Sequence, residues 1–380
     1  MIAGSSQGDS FHIESHGALL RRPTAAGAAR LKAPRLPDAI VVPTIRPLSL
    51  GPAITLAGDL NCTLVVLCST PAQAAQANQE CGPVAGDVLV TYVSRSAEES
   101  LPAFLTSEHP ENDLTPASHV DIARKRNMGL MLARLCGWRT IMFLDDDIRG
   151  LTVGDVSRAA ALTARFQAVG FKIGYYPDNS VVCHAHRLAG STQDVFPGGS
   201  ALVVDVTRSD TMFPPIYNED WLFLFDAAQC RSIALAGTLS QLEYNPFARP
   251  QRAVSEEFGD VIAEGLYRLL HEGGGVTDAT YTYWRRTLER RFQLIDHIAD
   301  ELMVREVGRP AKEYALVSLA AARRRLVGIT ELACLSFVRA WRTDIDTWRR
   351  QLINLPVLVD LIGAAKYLDL PTLDRDVNKR

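Results

Sequence analysis

Short apolar runs, each about the length of one strand and separated by helix-patterned segments, constrain this chain more than any other feature. Ala39 to Val42, Cys62 to Leu67, Asp87 to Val93 and Thr140 to Leu144 are largely continuous in apolar residues. That pattern belongs to strands covered on both faces rather than half-exposed ones. Between them lie an Ala/Gln-rich helix after Ser69-Thr70-Pro71 and a second helix from about Ser118 to Leu135. In the second, Met128, Met131, Leu132 and Leu135 share one face, Gly137 stops the helix, and Ser118 with Asp121 reads as its cap. A helix from Val153 to Ala168, a strand from Phe171 to Tyr175 and a strand from Ala201 to Asp205 behind Gly198-Gly199 continue the alternation. The expected fold is α/β, a mainly parallel sheet with flanking helices whose ligands bind beyond the carboxyl ends of the strands.

The flanks differ. Residues 1–37 carry Arg21, Arg22, Arg30, Lys32 and Arg35 among Ala, Gly and Pro, with no acid between Glu14 and Asp38. They read as a disordered basic tail, with a transit peptide as the alternative. Strand patterns stop near Pro250, so 38–250 is expected as the α/β domain and 251–380 as a helical C-terminal extension. Its Arg- and Glu-rich outer faces suit solvent or a homodimer contact. Forty basic against forty-three acidic residues, net −3, speak against a charge-driven nucleic-acid binder. The apolar stretch nearest to membrane-spanning length, Leu352 to Ile362, is interrupted by Asn354, Pro356 and Asp360, so no integral membrane segment is expected. Seven cysteines without a Cys-x-x-Cys pair point to buried thiols in a reducing cytoplasm rather than zinc or disulfides.

The chemistry concentrates where Phe143-Leu144 runs into Asp145-Asp146-Asp147. Three carboxylates at the end of a buried strand repel one another and lose hydration, and a divalent cation with oxygen preference, Mn²⁺ or Mg²⁺, relieves both costs. Side chains two apart on an extended chain share a side, which makes Asp145 and Asp147 the natural pair; capping of the following turn is the alternative. Upstream, Arg124-Lys125-Arg126-Asn127 places basic groups early in a helix, where the macrodipole disfavours them unless they face an anion. Asn218-Glu219-Asp220-Trp221 has the pattern of an ordinary helix start. Cys183-His184-Ala185-His186 lacks the third and fourth ligands that zinc wants, and structural or acceptor-side roles fit it better.

In this order the run Ala123 to Leu130, the apolar strand and Leu144-Asp145-Asp146-Asp147 resemble the GT-A glycosyltransferases, especially those of family 2. Val42-Pro43-Thr44-Ile45-Arg46 is similar to that family's nucleotide-holding loop, Gly198-Gly199-Ser200-Ala201 to its acceptor-side glycine segment, and Glu219-Asp220 to its Glu-Asp motif. The resemblance covers residues 38–245. It implies a Rossmann-like nucleotide-diphospho-sugar transferase that moves a sugar from its donor to an unidentified acceptor. The donor would be held by Pro43, Thr44, Arg46, Arg124, Arg126, Asn127, Asp145 and Asp146. Asp145 and Asp147 would bind Mn²⁺ or Mg²⁺, with His271 completing the shell as a downstream histidine does in some such enzymes. Asp220, or next to it Glu219, would serve as base in an inverting reaction. Competing classes are a nucleotidyltransferase, which would want a Gly-rich loop where Pro43-Thr44-Ile45-Arg46-Pro47 stands, a haloacid-dehalogenase-like phosphatase, which usually carries its acids on the first strand, and a non-catalytic scaffold on the same fold.

Overall fold

The computed structural model describes residues 11–23, 36–82, 86–176, 180–358 and 360–373. The apolar runs form the strands β1 (Ala39–Pro43), β2 (Thr63–Cys68), β3 (Val88–Tyr92) and β4 (Thr140–Leu144). β1 and β4 are buried along their whole length. With β5 (Ile148–Arg149), β6 (Ala168–Tyr175), β7 (Ala201–Asp205) and β8 (Ile233–Gln241) they make one sheet in the order β3-β2-β1-β4-β7-β6-β8-β5.

The sheet is mixed, which corrects the expectation of a mainly parallel one. β3, β2, β1 and β4 are parallel neighbours, and β6 pairs parallel with β8. β7 runs antiparallel to both β4 and β6, and β5 antiparallel to β8. Continuous burial marks a strand as covered but carries no information about its direction. The reversal has a consequence for the site. Ala201, the first residue of β7, lies opposite Leu144, the last of β4, so the Gly198-Gly199 segment meets the acidic triplet.

The helix Ala117–Leu135 packs over this half of the sheet. A Cβ on Gly129 would come 2.8 Å from Val41 Cγ1 and 3.3 Å from Phe143 Cε1, so only glycine allows this approach to β1 and β4. The expected Ser118 cap is not made: Pro116 holds the N-cap position without a side-chain bond, and Asp121 turns to Ser69 and Lys125 instead. The helix begun at Val153 is set by a Thr152–Asp155 capping box and stops at Leu162, short of Ala168, which opens β6. Phe166 lies between the helix and the sheet, partly buried against the core, and Ala168 is already the first residue of β6.

The chain divides into two compact units that do not follow a single cut at residue 250. One comprises Leu19–Pro177, Pro197–Glu243 and Ala340–Arg380 and contains the sheet. The other comprises Met1–Ala18, Asp178–Phe196 and Tyr244–Arg339 and is helical, with Pro250–His271, Tyr281–Val304 and Arg309–Val327 as its long helices. Within it Trp284 and Tyr267 are fully buried, and Arg291 is locked between Glu257 and Asp260. The described part of the N-terminal segment, 11–23, is packed rather than a loose tail: His12, His16 and Leu19 are buried and Arg21 bridges to Ala234. Residues 1–10 and 24–35 of the expected tail lie outside the described residues. Cys68, Cys81, Cys183 and Cys334 are buried, Cys62 and Cys136 partly so, and Cys230 is exposed, against the expectation of buried thiols throughout. Among the described residues no helix is long and apolar enough to cross a membrane.

Candidate active site at the carboxyl end of β4

β4 delivers the triplet into a turn, and the turn sorts the three acids. Asp145 is fixed by its backbone N–H, which donates to the Ser200 carbonyl at 2.8 Å. Arg126 Nη2 donates to both Asp145 carboxylate oxygens, at 3.0 and 3.1 Å, while its Nη1 donates to Glu219. Arg126 itself is 2 % exposed, and its guanidinium lies 5.6 Å from the centre of the Phe213 ring. Burial opposes its charge, but Asp145, Glu219 and Asp220 outweigh that and raise its pKa.

The acids carry the other side of this arrangement. Burial pushes Asp145 up to about 7 against the pull of Arg126, with Asp147 and Asp146 adding to the rise. Burial likewise carries Glu219 to about 8 against Arg126, helped by Asp220. The site therefore holds more carboxylate than its two arginines neutralise.

Asp146 and Asp147 turn to the β1 end. Asp146 is buried and accepts from the Thr44 hydroxyl and from Arg46 Nη2; the same nitrogen reaches Asp147 Oδ2 at 3.0 Å. The bend at Asp146-Asp147 breaks the two-residue alternation expected of an extended chain, so Arg46 gathers Asp146 with Asp147, not Asp145 with Asp147. Gln241 Nε2 also reaches Asp147, at 3.4 Å, and the Asp147 carbonyl accepts from Leu242 N–H at 3.1 Å. Thr44 Oγ1 in turn accepts from the Arg46 backbone at 2.9 Å, which fixes the loop after Pro43, the last residue of β1.

Of the basic helix, only Arg126 meets the triplet. Lys125 is buried and ties three elements together, its ammonium lying 2.9 Å from the Thr44 carbonyl and 2.7 Å from both Ser69 Oγ and Asp121 Oδ2. Arg124 pairs with Glu98 at 2.9 Å and is half-exposed. Asn127 exchanges both of its amide bonds with the Phe213 backbone, at 2.8 and 2.9 Å, and so fixes the loop that precedes Glu219. Lys125 and Gln241 are the residues that sequence reasoning missed. The four-residue spacing of Asp121 and Lys125 was the available signal for the first; the second depended on β8.

Asp220 faces the glycine segment. Its Oδ2 accepts Gly199 N–H at 2.7 Å and its Oδ1 accepts Trp221 N–H at 2.9 Å. A Cβ on Gly198 would collide with Asp220 Oδ2, and one on Gly199 with Arg126 Cζ. Asn218, before the helix Glu219–Gln229, is left-handed at φ 62° and makes no side-chain cap. His271 belongs to the helical unit, where its Nε2 lies 2.9 Å from His16 Nδ1. His184 and His186 lie buried on the helix Val181–Leu188 of that unit, His184 Nε2 3.1 Å from the Tyr244 hydroxyl.

Among the described residues no three His, Cys, Asp or Glu side chains form a ready metal cage. The donor set nonetheless fits a hard divalent ion shared with a phosphate ligand, which needs only one or two carboxylates from the protein. Asp145 and Asp147 are the acids expected to supply them; here Asp145 is held by Arg126 and Asp147 by Arg46, and the turn does not pair the two.

No family model matches the chain, and no curated protein matches it. Among solved structures it is similar to the mannosyltransferase PcManGT from Pyrobaculum calidifontis, a complex with GDP-Man and Mn²⁺, at 15 % identity over 90 % of this chain and 92 % of that chain, with a TM-score of 0.36.

Proposed function

We propose that the protein is a glycosyltransferase that moves a sugar from a nucleoside-diphosphate donor to an acceptor, with Mn²⁺ or Mg²⁺ as cofactor. The observation that carries this reading is the convergence of Asp145, Asp146 and Asp147 with Thr44, Arg46 and Arg126 at the carboxyl end of β4. It is a cluster of excess acid, edged by guanidinium groups, at the strand ends where α/β sheets bind ligands.

Asp145 and Asp147 would hold the cation, whose contribution is to offset the charge of the diphosphate leaving group. Arg46, half-exposed on the Asp146–Asp147 side, is placed to exchange those carboxylates for phosphate oxygens. Lys125 and Thr44 keep the β1 loop in register, and Arg126 holds Asp145 against Glu219. Of the two candidate bases, Glu219 is buried against Arg126, so we assign it to Arg126. Asp220, partly exposed, is assigned to take the acceptor's proton in an inverting transfer while its two backbone bonds keep it aimed at the glycine segment.

Asp147→Ala is expected to abolish transfer and the Mn²⁺-dependent rise in melting temperature with GDP or UDP, while the ligand-free melting temperature stays near wild type. Equal nucleotide stabilisation in both proteins would remove the reading. Asp220→Asn is expected to lower turnover by roughly a hundredfold or more, the range of a lost general base, with calorimetric nucleotide affinity kept. Unchanged turnover would exclude Asp220 as base.

A further inference from the structure

A cleft of about 610 Å³ opens in the sheet-bearing unit, and none of the acidic triplet lines it. One wall is the helix that carries Arg126: Ala123, Arg124 and Asn127 line the cleft from neighbouring positions. A second wall is the segment from Arg95 to Glu108, and a third is Phe213 with Pro215. Phe213 also meets the acidic cluster, because its ring lies beside the Arg126 guanidinium that grips Asp145 and Glu219. Pro215 stands a few residues before Glu219-Asp220. Phe213, fully buried, is thus the side chain that stands between the cleft and the Arg126–Glu219 pair.

We propose that this cleft is the acceptor subsite and that it takes a neutral, hydroxyl-rich ring, the chemistry of a sugar or glycoside. The assignment of it as an acceptor site rests on the sugar-transfer reading above. The volume is that of a small-molecule site. Its charged lining, Arg95 and Arg124 against Glu98, Glu99 and Glu108, nearly cancels, so an anion meets three carboxylates and a cation meets two guanidinium groups. What that lining offers is donors beside acceptors: Arg124 and Glu98 stand 2.9 Å apart. A hydroxyl, which donates and accepts at once, matches such a pair, and adjacent hydroxyls on a ring match it twice. Ala103, Phe104 and the half-exposed Leu105 supply apolar surface for the C–H faces of a ring.

The wall is pre-built. Asp344, 1 % exposed, accepts the Leu105 N–H at 2.7 Å, the Thr106 N–H at 2.8 Å and the Thr106 hydroxyl at 2.6 Å. Phe104 also meets Trp348, ring centres 6.2 Å apart. Asp344 and Trp348 belong to the C-terminal residues counted with the sheet unit, so that part of the chain holds the cleft's outer wall in place.

The experiment uses the full chain and a panel of methyl glycosides (gluco, manno, galacto and N-acetylglucosaminyl) in saturation-transfer NMR at millimolar concentration. Melting shifts with GDP and UDP plus Mn²⁺ run alongside. At least one glycoside is expected to take up saturation from the wild-type protein. Ala103→Trp, which fills the cleft, and Glu98→Ala, which removes the acceptor of the pair, are each expected to weaken that glycoside about fivefold or more, the worth of one hydrogen bond, with the nucleotide response retained as proof of folding. No glycoside signal in the wild type, or equal signal in both variants, overturns the proposal while a nucleotide response leaves the donor reading standing. Glycoside binding lost in the variants but accompanied by no nucleotide response in any protein keeps the cleft as a carbohydrate site and overturns its role as acceptor site.

Discussion

Arg126 sits between two acids with almost none of its surface in water, and the residues around it follow from that placement. A guanidinium can serve Asp145 and Glu219 at once because its nitrogens fork; a lysine would reach one of them. Gly199 is the residue that allows it, since a Cβ there would collide with Arg126 Cζ. A flexible side chain would yield to such a contact, but this one is pinned at both ends. Gly199→Ala is therefore expected to cost about 2 kcal/mol in urea unfolding, in the range of overpacked cores, and to weaken nucleotide binding with it. Loss of neither would show that Arg126 has room to move. Neighbours in sequence part company here: Arg124, Lys125 and Arg126 look alike in the chain, yet one faces Glu98, one the Thr44 carbonyl and one the triplet. Charge type marked the stretch as unusual; only the helical phase against β1 and β4 separates the three.

Among elements, β7 does most to assemble the site, and its direction was the part that apolar pattern left open. β1, β2, β3 and β4 could be read from continuous burial because both faces are covered, and Thr140–Leu144 and Ala201–Asp205 fall where that pattern places them. β8 carries no clear strand pattern because Gly237, Thr238 and Ser240 dilute its apolar residues, two of which, Leu235 and Ala236, are only partly buried. Gln241 at its end was lost with it. The triplet was legible as chemistry, since clustered acids after a buried strand have no packing reason to exist. The turn that sends Asp146 and Asp147 to Arg46 was not, because it depends on β5 pairing with β8 at Ile148–Gln241. The helix Glu331–Asn354 falls in the stretch expected as helical with charged outer faces, whereas Asp344 on it holds the Leu105-Thr106 turn through three bonds. Asp344→Ala strips two backbone N–H groups of their acceptor and is expected to cost about 2–4 kcal/mol. Faster hydrogen exchange confined first to Leu105 and Thr106 would mark the loosened wall; unchanged protection there would show that Phe104 packing alone suffices.

At the scale of the molecule, stability against pH is a contest between buried acids and buried histidines. Burial holds His184 down to about 3, with Arg187 and Arg252 adding to it, and His186 to about 4, with His12 adding to it. Both titrate near 6.5 once unfolded. Their folded pKa values are depressed, so the unfolded chain binds more protons as pH falls. Their contribution is complete above 6.5 and is lost progressively as pH drops through 6 and 5 toward the folded values. A buried acid with a raised pKa acts the other way: Glu256, which burial raises to about 7 against the pull of Arg252, favours the folded state as pH drops from 7 toward 4.5. The absolute slope of stability is thus a sum of opposing parts, and the informative quantity is a difference. His184→Gln keeps a hydrogen-bonding group toward the Tyr244 hydroxyl, 3.1 Å from Nε2 in the wild type, and removes one titration. Between pH 6 and pH 4 the unfolding free energy of wild type is expected to fall relative to the variant by about 1.4 kcal/mol per pH unit, the value of one proton. Paired urea titrations at pH 7, 6, 5 and 4 measure it, and parallel curves for the two proteins would mean that His184 is already charged in the native state.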